Sequence, residues 1–270
     1  MSYEKLDHPK ILAVTFHPRR EESASIPTIL DHDIEVDKDV IIGARAHLGD
    51  PGNPNILFFH GNGEIASDYD EIGQLYNKYN MNFIAVDYRG YGRSSGSPTI
   101  SHMMDDAHTI FADTLQFLQG KGYSAPLFVM GRSLGSSCAI ELASSYQDEI
   151  AGLLIDSGFA DTMSLLANLG IDPDSIGLSE EEGFRNVQKI STINKPTFIL
   201  HGQFDQIIPL ANVEILQSHS PAKSKQFQVI PGADHNTIFD KIGEMYFVAV
   251  RQFLDKVLKV RPKRYSSRRK

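Results

Sequence analysis

The sequence predicts an α/β protein with a mostly parallel central sheet flanked by helices, and three observations carry that prediction. Short apolar runs such as Ile56-Leu57-Phe58-Phe59 and Leu127-Phe128-Val129-Met130 alternate with helix-periodic segments along nearly the whole chain. The runs are continuous rather than alternating, which suits parallel strands buried on both faces. At the end of one of them stands Gly131-Arg132-Ser133-Leu134-Gly135, a G-x-S-x-G turn between a strand and the helix-like segment 136–143. With neither repeats nor a linker, residues 1–260 are expected to form a single domain, followed by a basic tail at 261–270.

Taken in order, residues 11–16 and 40–46 read as opening strands joined by polar connections, an antiparallel start. Asp50-Pro51-Gly52-Asn53-Pro54 is a turn. Residues 56–59 form a buried strand that runs into His60-Gly61-Asn62-Gly63. A helix is expected from about Asp68, with Tyr69, Ile72, Leu75, Tyr76 and Tyr79 on one face and Ser67 as its N-cap. Residues 82–86 read as a strand, 103–118 as a helix and 127–130 as the strand before the serine, with 152–155, 197–200 and 227–230 completing the sheet. The segment at about 158–191 is a short lid with a helix at 160–169 and the acidic patch Glu180-Glu181-Glu182. Met163, Leu165, Leu166, Leu169 and Ile171 there serve either as packing of a surface helix, the plainer account, or as the wall of an acyl pocket.

Composition sets the outer limits. A chain of 270 residues and 30.0 kDa can bury a sizeable core as one α/β domain. Its one cysteine, Cys138, excludes an internal disulfide and reads as an inert buried residue. Met1-Ser2-Tyr3-Glu4-Lys5-Leu6-Asp7 has no signal-like apolar run, and no stretch approaches the roughly 18 apolar residues a membrane span needs, so a cytoplasmic location is expected. Residues 256–270 hold eight Lys and Arg and no acid, against 18 basic and 34 acidic residues elsewhere, so a body of net −16 carries a tail of +8. Pro262 is expected to stop the last helix and leave a solvated arm. That arm rests against the acidic body or makes a weak, salt-sensitive contact with anionic membrane or nucleic acid, although the acidic body argues against nucleic acid as substrate.

The chemistry is concentrated where strands end. A serine at neutral pH needs a base, a group to orient that base and an oxyanion site. The strand at 197–200 runs into a loop that carries Asp205, and the strand at 227–230 into Pro231-Gly232-Ala233-Asp234-His235. Carboxyl ends of parallel strands are where open α/β sheets hold ligands. Ser133, Asp205 and His235 therefore make a nucleophile-acid-histidine set in that order, with Asp156 as the rival acid at the end of the neighbouring strand. Asp234 is read as structural, His60 and His201 as loop braces, and Asp87, Arg89 and Arg93 as a loop-bracing polar cluster. Arg132 is expected to pair with a nearby carboxylate. No histidine pair shows i, i+4 zinc spacing with a glutamate, and no metal or cofactor is expected. Gly61-Asn62-Gly63-Glu64-Ile65-Ala66 fits a dinucleotide fingerprint with Asp87 as its ribose acid, but that reading turns the serine, aspartate and histidine into coincidences.

Five stretches carry a resemblance: His60-Gly61-Asn62-Gly63, Asp87-Tyr88-Arg89-Gly90-Tyr91-Gly92-Arg93-Ser94, Gly131-Arg132-Ser133-Leu134-Gly135, His201-Gly202 with Asp205, and Gly232-Ala233-Asp234-His235. On them the chain resembles the α/β hydrolases of the serine aminopeptidase and prolyl-oligopeptidase-like branch, including ABHD-type protein depalmitoylases, over residues 40–255 or so. The resemblance implies the α/β-hydrolase fold and a serine hydrolase that acts through an acyl-enzyme on a small-molecule or acylated substrate. It also implies an oxyanion hole made by the backbone N–H groups of Asn62 and Leu134. It names no one substrate, since members cleave esters, thioesters, amides and peptides. The competing expectation from another class is a hydrolase fold that only binds.

Overall fold

A computed structural model describes residues 2–22 and 29–260. A 3₁₀ turn at Glu4–Asp7 leads into α1 (Pro9–Thr15), then β1 (Leu30–Asp37), β2 (Val40–His47) and β3 (Asn55–Phe59). These are followed by α2 (Asp70–Lys78), β4 (Asn82–Val86), α3 (Ile100–Gly120), β5 (Leu127–Arg132), α4 (Ser136–Ser145) and β6 (Gly152–Asp156). The segment that crosses to β7 (Thr197–Gly202) carries α5 (Thr162–Asn168) and α6 (Asn186–Ile190). The last elements are α7 (Ala211–His219), β8 (Lys225–Ile230), α8 (Ile238–Ile242) and α9 (Met245–Val257). Among the described residues the strands form one eight-stranded sheet in the order β1-β2-β4-β3-β5-β6-β7-β8. β1 and β2 pair antiparallel, as do β2 and β4, and every later pairing is parallel. This is the α/β-hydrolase fold.

The continuous apolar runs are used on both faces. In β3 the side chains of Leu57 and Phe59 join one core and those of Ile56 and Phe58 the other; β4 divides Ile84 and Val86 from Phe83 and Ala85 in the same way. Side chains alternate across a strand, so a run with no polar position fills two cores at once. Helices α3 and α4 pack on the first face, and α9, with buried Phe247, Val250, Phe253 and Leu254, closes the second.

Four expectations are corrected. Residues 11–15 lie in α1 rather than in a strand, with Phe16 as its C-cap: Pro9 opens the helix, the His8 ring accepts the Lys10 N–H, and Ile11 and Thr15 bury one face at i, i+4. The antiparallel partner of β2 is β1, which the sequence reading passed over. Ser67 is not an N-cap, because a 3₁₀ turn at Ala66–Tyr69 precedes α2 and the Asp68 carboxylate accepts the Ile65 N–H. The last helix also stops before Pro262: Lys259 turns left-handed at φ 54° and the Val260 N–H reaches back to the Asp255 carbonyl. The tail at 261–270 lies outside the described residues. Among the described residues no helix is long and apolar enough to cross a membrane.

The two glycines of the pentapeptide are required by close approach. A Cβ on Gly131 would strike the Gly135 carbonyl oxygen, and one on Gly135 the Phe59 carbonyl oxygen. Their absence lets β5, the start of α4 and the end of β3 touch backbone to backbone. Gly135→Ala is therefore expected to cost about 3 kcal/mol of stability, at the upper end of overpacking penalties. Gly120→Ala, on a helix end with open space, should be neutral or stabilising by up to about 1 kcal/mol. Denaturant midpoints of the two variants measure the contrast; equal midpoints would contradict it.

Candidate active site

Ser133 stands where β5 turns into α4, and the turn forces its backbone to φ 51°, a left-handed conformation costing about 1–2 kcal/mol for a residue with a Cβ. The surroundings hold it there: the Ser136 hydroxyl donates to the Ser133 carbonyl at 2.6 Å, and the Ser137 hydroxyl to the Leu134 carbonyl at 2.7 Å. Strain sustained by its neighbours at a strand end is the pattern of a functional turn. The Ser133 hydroxyl lies 3.0 Å from His235 Nε2.

His235 sits in the loop after β8, and its Nδ1 lies 2.7 Å from Asp205 Oδ2. Asp205 is fixed by its own loop, where Oδ1 accepts the Ile207 and Ile208 N–H groups at 3.0 and 2.8 Å. The two loops are joined backbone to backbone: the Phe204 N–H donates to the Ala233 carbonyl at 2.8 Å, and Gly202 passes so close to Asp234 that a side chain would not fit. Parallel pairing of β5, β6, β7 and β8 thus gathers three loops at one end of the sheet, and Ser133, His235 and Asp205 form one hydrogen-bonded chain.

The other strand-end groups are engaged elsewhere. Asp156, the rival acid, accepts from the Tyr246 hydroxyl at 2.8 Å and the Ser157 hydroxyl at 3.0 Å. Burial and that carboxylate push the Tyr246 phenol well above its ordinary pKa, so it stays a donor. Asp234 accepts from the Asn236 N–H and the Thr237 hydroxyl in its own turn. His201 is wholly buried, with Nε2 2.8 Å from the Ile208 carbonyl; burial lowers its pKa although that carbonyl and Asp205 work the other way. The neutral ring braces the Asp205 loop. His60 is buried at the end of β3 with Nδ1 2.7 Å from the Gly61 carbonyl. Asp87, Arg89 and Arg93 do not form one cluster. Asp87 accepts the Ala66 N–H, Arg89 grips Asp106 with two bonds of 2.7 Å, and Arg93 reaches Asp31 and Asp33. Asp87 is buried, not open to solvent as the ribose acid of the dinucleotide reading would be. Cys138 is fully buried on α4, and burial pushes its thiol up, away from reactivity.

Asn62 and Leu134 line one cavity of about 310 Å³ together with Ser133 and His235. The close contact of Gly135 with the end of β3 brings their two loops together. The Asn62 side chain is turned to the N-terminal segment, accepting the His17 N–H at 3.0 Å and the Tyr91 hydroxyl at 3.2 Å. The apolar wall of the cavity consists of Val14, Leu165, Leu169 and Ile207. Of the five residues weighed for an acyl pocket, Leu165 and Leu169 line it, while Met163, Leu166 and Ile171 belong to the core. Val14 and Ile207 were missed, Val14 because its helix was read as a strand.

Arg132 pairs with a carboxylate, and that carboxylate is Glu64, a residue that the sequence reading did not assign. The pair forms part of the wall between the serine cavity and a second cavity of about 320 Å³ faced by Phe58, Tyr69, Tyr76, Tyr246 and Phe247. Burial works to raise the Glu64 carboxyl, but Arg132 and the Tyr69 hydroxyl outweigh it and hold the pKa below its usual value. Among the described residues no group of three His, Cys, Asp or Glu is placed to hold a metal ion.

Comparisons with known proteins agree with the fold. A family model described as serine aminopeptidase, S33 matches residues 51–165. Protein bem46 of Schizosaccharomyces pombe is 27% identical over 211 residues, 74% of this chain and 67% of that protein. Alpha/beta hydrolase domain-containing protein 17C of Mus musculus is 28% identical over 206 residues, 74% of this chain and 59% of the mouse protein. Among solved structures, the Pyrococcus furiosus esterase Pf2001 superposes with a TM-score of 0.71 at 20% identity, covering 88% of this chain and 98% of the esterase.

Proposed function

We propose that this chain, which has the α/β-hydrolase fold, is a serine hydrolase that cleaves an acyl ester, thioester or amide through an acyl-enzyme. The observation that carries the reading is the unbroken hydrogen-bond chain from Ser133 through His235 to Asp205, opening into a cavity with an apolar wall. Support also comes from the esterase named above, whose fold this chain shares.

In this reading His235 Nε2 takes the Ser133 proton as the hydroxyl oxygen attacks the acyl carbonyl, and Asp205 holds the ring by Nδ1–H and stabilises the imidazolium. The Asn62 and Leu134 N–H groups receive the oxyanion, an arrangement in which one donor is worth about 3 kcal/mol in the transition state. His235 gives its proton to the leaving group. It then draws a proton from water as the water attacks the acyl-Ser133 carbonyl, and returns that proton to Ser133 Oγ as the C–O bond breaks and the carboxylic acid leaves. The acyl chain lies along Val14, Leu165, Leu169 and Ile207.

Pre-steady-state hydrolysis of p-nitrophenyl esters and acyl thioesters tests this. An initial burst of about one leaving group per protein chain is expected with the better leaving groups. Leu169→Trp, which fills the apolar wall, should lower kcat/KM for octanoyl relative to acetyl esters about 10-fold, the worth of nearly two lost methylene contacts. Folded protein with no turnover of ester, thioester or aminoacyl amide would refute the reading and favour a fold that only binds.

A further inference from the structure

Arg132 and Glu64 link three strand-end loops, those that carry Gly61, Ser133 and His235. Glu64 Oε2 accepts the Gly61 N–H at 2.7 Å, which fixes the start of the oxyanion loop, and the Tyr69 hydroxyl at 2.7 Å. Its other oxygen pairs with Arg132 Nη1. Arg132 is the residue immediately before Ser133, and its Nη2 donates to the backbone carbonyl of His235 at 2.8 Å and to the Asn236 side chain at 3.1 Å. A planar guanidinium delivers its N–H groups in a fixed fork, so the distances from Gly61 to Ser133 to His235 are set together. Both of its terminal nitrogens are engaged, which leaves it poorly placed to take a substrate anion.

Stability does not account for such a pair. A largely buried ion pair costs desolvation of both ions and is often matched or bettered by apolar replacements. What apolar residues cannot supply is a donor aimed at the carbonyl of the base's own residue.

We propose that Glu64 and Arg132 form a positioning unit that holds the oxyanion loop and His235 in register with Ser133. The proposal rests on the hydrolase reading above. Both are positioning residues, acting through Gly61 and His235 on groups that meet the substrate. A displacement of about 1 Å in such a site can cost about 100-fold in rate.

Two variants test this, beside the wild type, with melting curves, kcat and KM for one activated ester, and the rate of fluorophosphonate labelling at Ser133. Arg132→Met/Glu64→Gln leaves no unpaired buried charge, and Gln keeps an acceptor for Gly61. It should melt near the wild type, lose about 100-fold in kcat with KM within threefold, and label correspondingly slowly. Arg132→Lys restores the charge without the fork and should still lose at least about 10-fold in kcat. A double variant within threefold of wild-type kcat, or a wild-type-like Arg132→Lys, would overturn the positioning role while leaving the hydrolase reading intact. A wild type that neither turns over ester nor labels would overturn the hydrolase reading and this proposal with it.

Discussion

Ser133→Ala is expected to lower ester turnover by about 10⁵–10⁶-fold with no loss of fold. In the proposed mechanism the hydroxyl supplies the oxygen that bonds the acyl group, and its partner is the His235 ring, 3.0 Å away. Removing it leaves the proposed oxyanion donors and the cavity in place, which is why a residual rate above the uncatalysed reaction should persist. The bonds from Ser136 and Ser137 that hold the turn end on backbone carbonyls, so they survive the substitution. The melting temperature should move by no more than a few degrees, since alanine inherits the same left-handed strain. A variant that keeps a tenth or more of the wild-type kcat would remove Ser133 from the chemistry.

Asp205→Asn is expected to lower kcat about 10⁴-fold, the loss seen where an asparagine stabilises the wrong imidazole tautomer and cannot balance the imidazolium. Its carboxylate is the one beside His235 Nδ1, at 2.7 Å. Asp156→Asn should change kcat less than about 10-fold, because Asp156 spends its oxygens on Tyr246 and Ser157. Its effect belongs in the melting temperature, as a weakened buried acceptor for Tyr246. Parallel measurement of kcat and of thermal unfolding in both variants separates the two roles. A larger kcat loss at Asp156 than at Asp205 would reassign the acid.

Much of this was legible in the chain because it is written locally. A G-x-S-x-G between an apolar strand and a helix states its own geometry, and both glycines prove to be points where backbone meets backbone. Strand ends are also local, and parallel pairing brings them together without further instruction. The sequence favours Asp205 with Asp156 as its rival, since both stand at the ends of neighbouring strands; what it does not show is that the Asp205 side chain points to His235 and that of Asp156 to Tyr246.

What was illegible had physical reasons. Ile11-Leu12-Ala13-Val14 is a short apolar run, which periodicity cannot assign to strand or buried helix; Pro9 and the His8 cap were the distinguishing signals. β1 reads as a polar stretch because it is an edge strand with several exposed side chains, although the spacing of Ile34 and Val36 carried a weak period of two. Glu64 occupies a variable place after a motif, and its importance arises only when Gly61, Tyr69 and Arg132 converge on it in space.

The most direct test of the account is fluorophosphonate labelling of the folded protein, wild type beside Ser133→Ala, with the adduct mapped by mass spectrometry. The account predicts one adduct, on Ser133, absent from the variant and slowed by Asp205→Asn. Folded wild-type protein that takes no label, or takes it at another serine, would contradict it.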